Sequence, residues 1–413
     1  MSELDPKFSA GVSNSEAMFQ ISEAFYSRTD KRGVIKAGND VFQRVAGYEW
    51  DELLGAPHKV IRHPDMPKGV FQLMWDRIKS GKPTGAYVKN RRICGRFYWV
   101  FALVSPTEDG YISTRIKPTS PMRGAAEEFY AALLQREKEE GLSPQDSAKA
   151  LEAWVRAQGF ASYDTFQSHA LAQEFEARAR QITQPLAADL KRYIDMSNAI
   201  GGVHAETSSM TETFQSIRTV PLNMRIIASR LENVGGPISA ISVNYSQMLE
   251  EMSTWVKTFV DGDSCVFARI RDAILTGQFL AFAAAVESEM VAAFGQTDQS
   301  YPTSLDIPGE VALVSEHEAR FRRQAAEKLV SVEREARRFA QSVLDMKRFV
   351  TGLSSTRMMC KIESASLPDA GTALNGIVEQ LDECQSEIEK RLARIMELNA
   401  IIQSNTSMLR SML

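Results

Sequence analysis

Residues 55–99 read GAPHKVIRHPDMPKGVFQLMWDRIKSGKPTGAYVKNRRICGRFYW, and this stretch decides the fold of the first part of the chain. It brings histidine, arginine, amide and indole side chains together between turn-forming residues such as Pro57, Pro64 and Gly81. Side chains of these types, converging on one small α/β domain, suit a pocket for a large, aromatic, anionic cofactor. We therefore expect a binding domain here.

The segments around this stretch predict a five-stranded antiparallel sheet. Strand-forming residues on both sides of Asp30-Lys31-Arg32-Gly33 indicate a hairpin. Asn39 is a suitable N-cap for a short helix, and Gly47 ends that helix. Three further strands are predicted over residues 84–92, 97–104 and 111–117. The fold class of this part is thus α+β, with short helices over one face of the sheet.

After Pro121 the sequence predicts only helices, beginning with residues 127–138 and 145–158. Apolar residues then recur from Ile182 to Leu231 at close to the period of a coiled-coil seam. Gly235-Gly236-Pro237 interrupts the seam, and a returning arm over residues 238–259 completes a helical hairpin. Helices over 264–294 and 310–353, and a second hairpin turning near residue 368, extend this all-α region of long antiparallel coiled-coil hairpins.

Composition excludes several classes of function. The net charge of −4 and the pI near 5.9 argue against a nucleic-acid partner. The four cysteines are widely spaced, which favours a reducing cytoplasm. The apolar run over residues 274–286 is short and flanked by charges, so no membrane span is expected. No phosphate-binding loop, zinc-protease motif or nucleophile elbow occurs, so no enzyme is expected; His169, His204 and His317 are interpreted as solvated helix residues.

Several motifs occur together between Phe25 and Lys117: Gly47-Tyr48, Pro57-His58, RHPDMP at 62–67, Met74-Trp75, VKNRR at 88–92, Tyr98-Trp99-Val100 and Arg115. Together they resemble the flavin-binding PAS domain of bacterial aerotaxis receptors. The resemblance implies noncovalently bound FAD, and five residues match positions tied to flavin binding or signalling in that family: Arg62, His63, Asp65, Trp75 and Asn90.

The chemistry of three of these residues agrees with a flavin. The guanidinium of Arg62 can bind two oxygens of a pyrophosphate. The amide of Asn90 can both donate to and accept from the uracil-like edge of an isoalloxazine. The indole of Trp75 can pack on the ring system and exclude water.

Plainer interpretations stay open. Trp75 can be an ordinary core tryptophan, and Asp65 can cap a short helix that begins at Met66-Pro67. His58 and His63 can ligate haem iron, since other PAS domains bind haem through one histidine. The pocket can also be empty, in a scaffold that only mediates dimerisation.

The first predicted hairpin resembles the signalling tip of chemoreceptors. The resemblance rests on Leu222-Asn223, Ile226, Ala228, Arg230, Gly235 and the run from Ile238 to Ser242. It implies contact with a chemotaxis adaptor and a histidine kinase. Ile227 replaces a glutamate of that family and Val243-Asn244 replace an acidic pair, which puts those contacts in doubt. A plain coiled-coil hairpin for a homodimer or a higher bundle is the alternative.

These patterns divide the chain into an N-terminal segment (1–18), a PAS sensor domain (19–120), a helical connector (121–175), a chemoreceptor-like hairpin (176–260), a helix with a polar loop (261–309) and a C-terminal helical hairpin (310–413). The predicted function is a soluble, cytoplasmic signal transducer that senses redox state or oxygen through FAD, as in energy taxis. A haem-binding gas sensor and a cofactor-free scaffold are the alternatives.

Overall fold

A computed structural model describes residues 15–230, 235–259, 265–295, 301–366 and 371–412. Five antiparallel strands form one sheet in the order β2-β1-β5-β4-β3. They are β1 (Phe25–Asp30), β2 (Ile35–Gly38), β3 (Thr84–Arg91), β4 (Phe97–Pro106) and β5 (Gly110–Ile116). The predicted five-stranded α+β fold is confirmed.

Four short helical segments lie between β2 and β3. They are α1 (Asp40–Ala46), α2 (Trp50–Leu53), a 3-10 helix (His58–Ile61) and α3 (Lys68–Lys79). As predicted, the Asn39 side chain accepts a hydrogen bond from the Phe42 N–H, and Gly47 ends α1 with φ of 75°. The alternative in which Asp65 caps a helix beginning at Met66-Pro67 is not the one observed, because the N-cap residue of α3 is Pro67.

After Ile116 the elements of the described residues are all helices, as predicted. They are α4 (Pro121–Glu139), α5 (Pro144–Ala157), α6 (Tyr163–Gln181), α7 (Ala188–Ser216), α8 (Val220–Arg230), α9 (Gly236–Phe259), α10 (Val266–Phe294), α11 (Ile307–Ser366) and α12 (Gly371–Ser411). The predicted seam from Ile182 is split between α7 and α8. Leu231, Asp261-Gly262-Asp263 and most of the predicted turn near residue 368 lie outside the described residues.

The chain divides into two compact units. The first contains the residues up to 190 together with 275–325, and the second contains 191–274 and 326–413. Helices α7, α10 and α11 each contain residues of both units.

In the first unit, helices cover the outer face of the sheet. The β1 residue Tyr26 packs in one apolar cluster with Met290 and Phe294 of α10 and Val314 of α11. Backbone groups of Gly85 in β3 bond to α6, where Gln167 Oε1 accepts from its N–H at 2.9 Å and Tyr163 donates to its carbonyl at 2.8 Å. The outer face of the sheet is thus covered by helices α6, α10 and α11.

The second unit is built from antiparallel helix pairs. In the α8–α9 pair, Ser242 Oγ donates to the Pro221 carbonyl at 2.7 Å. In the α11–α12 pair, Asn399 Nδ2 donates to the Ala336 carbonyl at 3.2 Å. In the α9–α11 pair, the Trp255 indole donates to the Ser342 carbonyl at 3.1 Å. These contacts place the predicted hairpin arms side by side.

Helix α10 contains the apolar run that we predicted to be too short to span a membrane. The helix is longer than that run, at 29 residues, and among the described helices it is the one long and apolar enough to cross a membrane by length and composition. Of its most apolar window, 61% is buried inside the protein, as in the core helix of a globular protein. Two of its residues, Met290 and Phe294, belong to the apolar cluster that packs on the sheet.

His317 does not fit the prediction of a solvated helix residue. Its ring is buried and its Nδ1 lies 2.9 Å from Oε1 of the buried Glu287 in α10. Burial raises the pKa of Glu287, and His317 opposes that rise. His204 is exposed, in agreement with the prediction.

Candidate cofactor site

A cavity of about 350 Å3 lies between the inner face of the sheet, the 3-10 helix and α3. Its volume lies within the range of small-molecule sites. The strands contribute Ser27, Thr29, Val88, Asn90, Ala102, Val104, Tyr111, Ser113 and Arg115, and the helices and loops contribute Arg32, Gly33, Pro57, His58, Lys59, Arg62, Phe71, Met74, Trp75 and Ile78. Apolar walls with a few polar groups are typical of a cofactor site.

The charged side chains that line this cavity are cationic. Four cationic side chains line it, namely Arg32, Lys59, Arg62 and Arg115, and no carboxylate is among the described lining residues. Arg32 and Lys59 are exposed, whereas Arg115 is buried. Because unpaired buried charge is costly, such a cavity favours an anionic or acceptor-rich ligand.

Three of the five predicted site residues line the cavity. The Arg62 guanidinium lies 3.9 Å over the Phe71 ring, and its Nη2 donates to the Met66 carbonyl at 3.1 Å. The Trp75 ring packs edge-on against Tyr111, with centroids 5.2 Å apart. Asn90 is buried in β3, and its side-chain amide makes no hydrogen bond with a described residue. The amide is therefore available to a ligand.

The other two predicted residues lie outside the cavity wall. His63 is fully buried, packs edge-on against Phe97 and accepts the Asp65 N–H at Nδ1, 3.1 Å away. Burial lowers the pKa of His63 to about 4. The Asp65 side chain is 52% exposed and pairs with Lys89 Nζ at 2.8 Å. The structure thus separates these two residues from Arg62, Trp75 and Asn90.

A buried polar cluster in the cavity wall was missed as a site by sequence reasoning. Arg115 Nη2 donates to Ser27 Oγ and to His58 Nε2, each at 2.7 Å. Burial first, and the Arg115 charge second, lower the pKa of His58 to about 3. Burial likewise lowers the pKa of Arg115 to about 10. The imidazole is therefore neutral near pH 7, and its Nε2 accepts a hydrogen bond from the Arg115 guanidinium.

Two buried polar atoms of this wall have no partner within the described residues, Arg115 Nη1 and Ser113 Oγ. Buried donors without partners are rare in folded proteins and call for a bound group or water. The signal in the sequence was the alternation of β5, which places the polar residues Ser113 and Arg115 on the same face as Tyr111. The residues present therefore fit a ligand rich in acceptors.

Comparison with known proteins agrees with this fold. A family model described as the PAS fold matches residues 36–113. The Aerotaxis receptor of Escherichia coli K12 is 44% identical over 112 residues, which cover 26% of this chain and 22% of that receptor. The Bacterioopsin transcriptional activator of Halobacterium salinarum is 31% identical over 87 residues, covering 21% of this chain and 13% of the activator.

The match thus spans about a fifth or less of the length of these curated relatives. It covers the sheet and the cavity, and it supports a signal sensor domain. The N-terminal part of this chain is a PAS domain similar to that of the aerotaxis receptor, and a long helical region follows it.

Proposed function

We propose that this protein is a PAS-based redox or oxygen sensor that holds FAD in the cavity and biases a helical output module. The observation that carries the proposal is the cationic cavity, with a free Asn90 amide and an unpartnered Arg115 Nη1 in its walls. The similarity of the N-terminal domain to that of the aerotaxis receptor supports the same proposal. FAD, when bound, supplies reversible electron transfer through its isoalloxazine.

The residues of the chain bind and orient the ligand. Arg62 is suited to the pyrophosphate, since a guanidinium can bind two oxygens. Asn90 can donate to and accept from the edge of the ring system. Trp75 and the apolar wall exclude water. His63 and Asp65, which the resemblance connects with flavin binding or signalling, act from outside the cavity in this proposal.

Transmission starts from the strands. Asn90 and Tyr87 belong to the same strand β3, and Tyr87 faces away from the cavity and donates to Glu174 of α6 at 2.8 Å. Glu174 also accepts the N–H of Ser120, the N-cap of α4, at 2.9 Å. A shift at Asn90 would therefore reach the helix after Pro121. Only a few kcal/mol of differential interaction is needed to bias such an equilibrium.

The output proposal concerns the second unit. We propose that its helices assemble as a homodimer or a higher coiled-coil bundle in the cytoplasm. The α8–α9 pair exposes Leu222, Ile226 and Val243, apolar side chains at the tip that resembles chemoreceptors. Because Ile227 replaces a glutamate, we expect weak or no capture of a chemotaxis adaptor and kinase. A pull-down with both purified proteins tests this.

Haem is the second candidate, through His58. The Nε2 of His58 already accepts from Arg115 at 2.7 Å, which disfavours this nitrogen as an iron ligand. His63 lies outside the cavity wall. These two observations favour FAD over haem.

One visible spectrum of freshly purified full-length protein tests the proposal. The two-band spectrum of oxidised flavin is expected; a single intense Soret band would support haem, and colourless protein that takes up no added FAD would support the scaffold. Asn90→Ala and Trp75→Leu are expected to lose bound flavin. Gln72→Ala on the exposed side of α3 and Trp154→Leu in α5 are the matched controls.

A further inference from the structure

The cavity helix α3 has no N-cap side chain of its own. Pro67 precedes it, and no side-chain cap hydrogen bond is formed there. The first N–H groups of an α-helix lack partners within the helix and attract negative charge. Here the N–H groups of Lys68 and Gly69 donate to Oε1 of Glu137, at 2.7 and 3.2 Å. A carboxylate of α4 therefore caps α3.

Glu137 also contacts α5. Glu137 is buried, and Ser147 Oγ of α5 donates to its Oε1 at 2.5 Å. The three donors to this oxygen are two backbone N–H groups and one hydroxyl. A buried carboxylate is stable only while its donors stay in place. The first turn of α3 and the start of α5 are thus held to one oxygen of α4.

Helix α3 also touches α5 directly. A Cβ atom built at Gly69 would lie 2.4 Å from the carbonyl carbon of Ser147. No side chain fits at position 69, so the two backbones are in contact. A displacement of the first turn of α3 must move α5 or open this contact.

The other side of α3 forms the cavity wall. Phe71, Met74, Trp75 and Ile78 line the cavity from this helix. Arg62 ties the preceding turn to the same wall through the Phe71 ring and the Met66 carbonyl. A ligand that packs on Trp75 and Phe71 therefore contacts the same helix whose N-terminus Glu137 caps.

We infer that Glu137 is the positioning residue through which occupancy of the cavity acts on helices α4 and α5. The inference rests on the proposed function, because it takes FAD as the occupant. Three residues define the coupling. Trp75 contacts the ligand, Glu137 accepts hydrogen bonds from the first turn of α3, and Ser147 of α5 donates to Glu137.

Amide hydrogen exchange of the full-length protein, with FAD loaded and stripped, tests the coupling. FAD is expected to slow exchange in α4 and α5 by about tenfold in wild type. In Glu137→Gln saturated with FAD, the difference is expected to fall below about threefold. Glu139→Gln, which changes an exposed carboxylate bonded to Gln135 on the same helix, should behave as wild type. Equal differences in wild type and Glu137→Gln would overturn the inference, as would no difference in FAD-loaded wild type.

A second experiment needs no ligand and separates this inference from the proposed function. Trp75→Ala is introduced into the wild-type protein and into Glu137→Gln, both stripped of FAD. Amide exchange in α4 and α5 is then measured. Trp75→Ala is expected to accelerate that exchange only where Glu137 is present, whereas additive effects would overturn the inference. Failure to take up FAD, read from the visible spectrum, would refute the proposed function alone.

Discussion

The two faces of the PAS sheet use polar side chains in opposite ways. On the outer face two carboxylates meet their donors: Glu310 accepts from Tyr26 and pairs with Arg28, each at 2.5 Å, and Glu174 accepts from Tyr87 at 2.8 Å. On the inner face Arg115 has no carboxylate partner in the cavity wall and keeps an unpartnered Nη1. The outer face is built for stability, and the inner face keeps capacity for a ligand.

The outer face should therefore be the more sensitive to loss of a polar group. Glu174→Ala leaves the Tyr87 hydroxyl and the N–H groups of Thr119 and Ser120 without their acceptor in a buried site. Burial raises the pKa of Tyr87, so its hydroxyl stays a donor. We expect the free energy of unfolding to fall by about 3 to 5 kcal/mol.

Urea denaturation measures this loss. Glu176→Ala, which removes a half-buried carboxylate from the same helix, is the control. A loss of less than about 1 kcal/mol in Glu174→Ala would show that the outer-face hydrogen bonds do not stabilise the sheet.

The inner face should depend less on its polar groups. Arg115→Met removes a buried guanidinium that has no carboxylate partner together with its hydrogen bonds to Ser27 and His58, so the stability of FAD-free protein should fall by less than in Glu174→Ala, by about 2 kcal/mol at most. Affinity for FAD should fall by about tenfold to a hundredfold, because one charge-assisted donor is lost. Flavin fluorescence titration and urea denaturation measure the two effects. Arg44→Met, at the exposed pair with Glu23, should change neither.

Protonation tests the cavity side of the domain in a further way. The folded-state pKa values of His58 and His63 are lowered to about 3 and about 4, below the ordinary value of 6.5. A lowered histidine pKa means that the folded state binds fewer protons than the unfolded state. Stability is therefore complete above pH 6.5 and falls below it, by at most about 1.4 kcal/mol per pH unit for each histidine.

His58→Gln should reduce this pH dependence in FAD-free protein. Unfolding free energies between pH 7 and pH 5 test it, with the exposed His204→Gln as control. An unchanged slope in His58→Gln would mean that this imidazole takes up a proton within the folded cavity wall.

Local sequence signals predicted the elements of the fold, whereas the three cavity residues Arg62, Trp75 and Asn90 were expected from the resemblance to the aerotaxis-receptor PAS domain. The Asn39 cap, the Gly47 stop and the alternation of β3 to β5 depend on neighbours in the chain, so they could be predicted from it. The partners that define the site are remote: Glu137 lies 69 residues from Lys68, and Arg115 lies 57 from His58. A helix cap supplied by another helix leaves no local pattern, so the sequence offered only the nearby Asp65 as an alternative for that role.

The smallest expected effect concerns Asp65, a residue of the RHPDMP motif that lies outside both the cavity and the buried outer face. Asp65→Asn removes a half-exposed ion pair with Lys89, so stability should change by less than about 1 kcal/mol. FAD affinity should stay within about threefold of wild type, whereas Arg62→Ala, inside the cavity, should lower it at least about tenfold. Fluorescence titration of both variants decides. A comparable loss in Asp65→Asn would mean that the cavity wall extends through His63 to this carboxylate, and that the division between a ligand-binding inner face and a structural periphery is drawn in the wrong place.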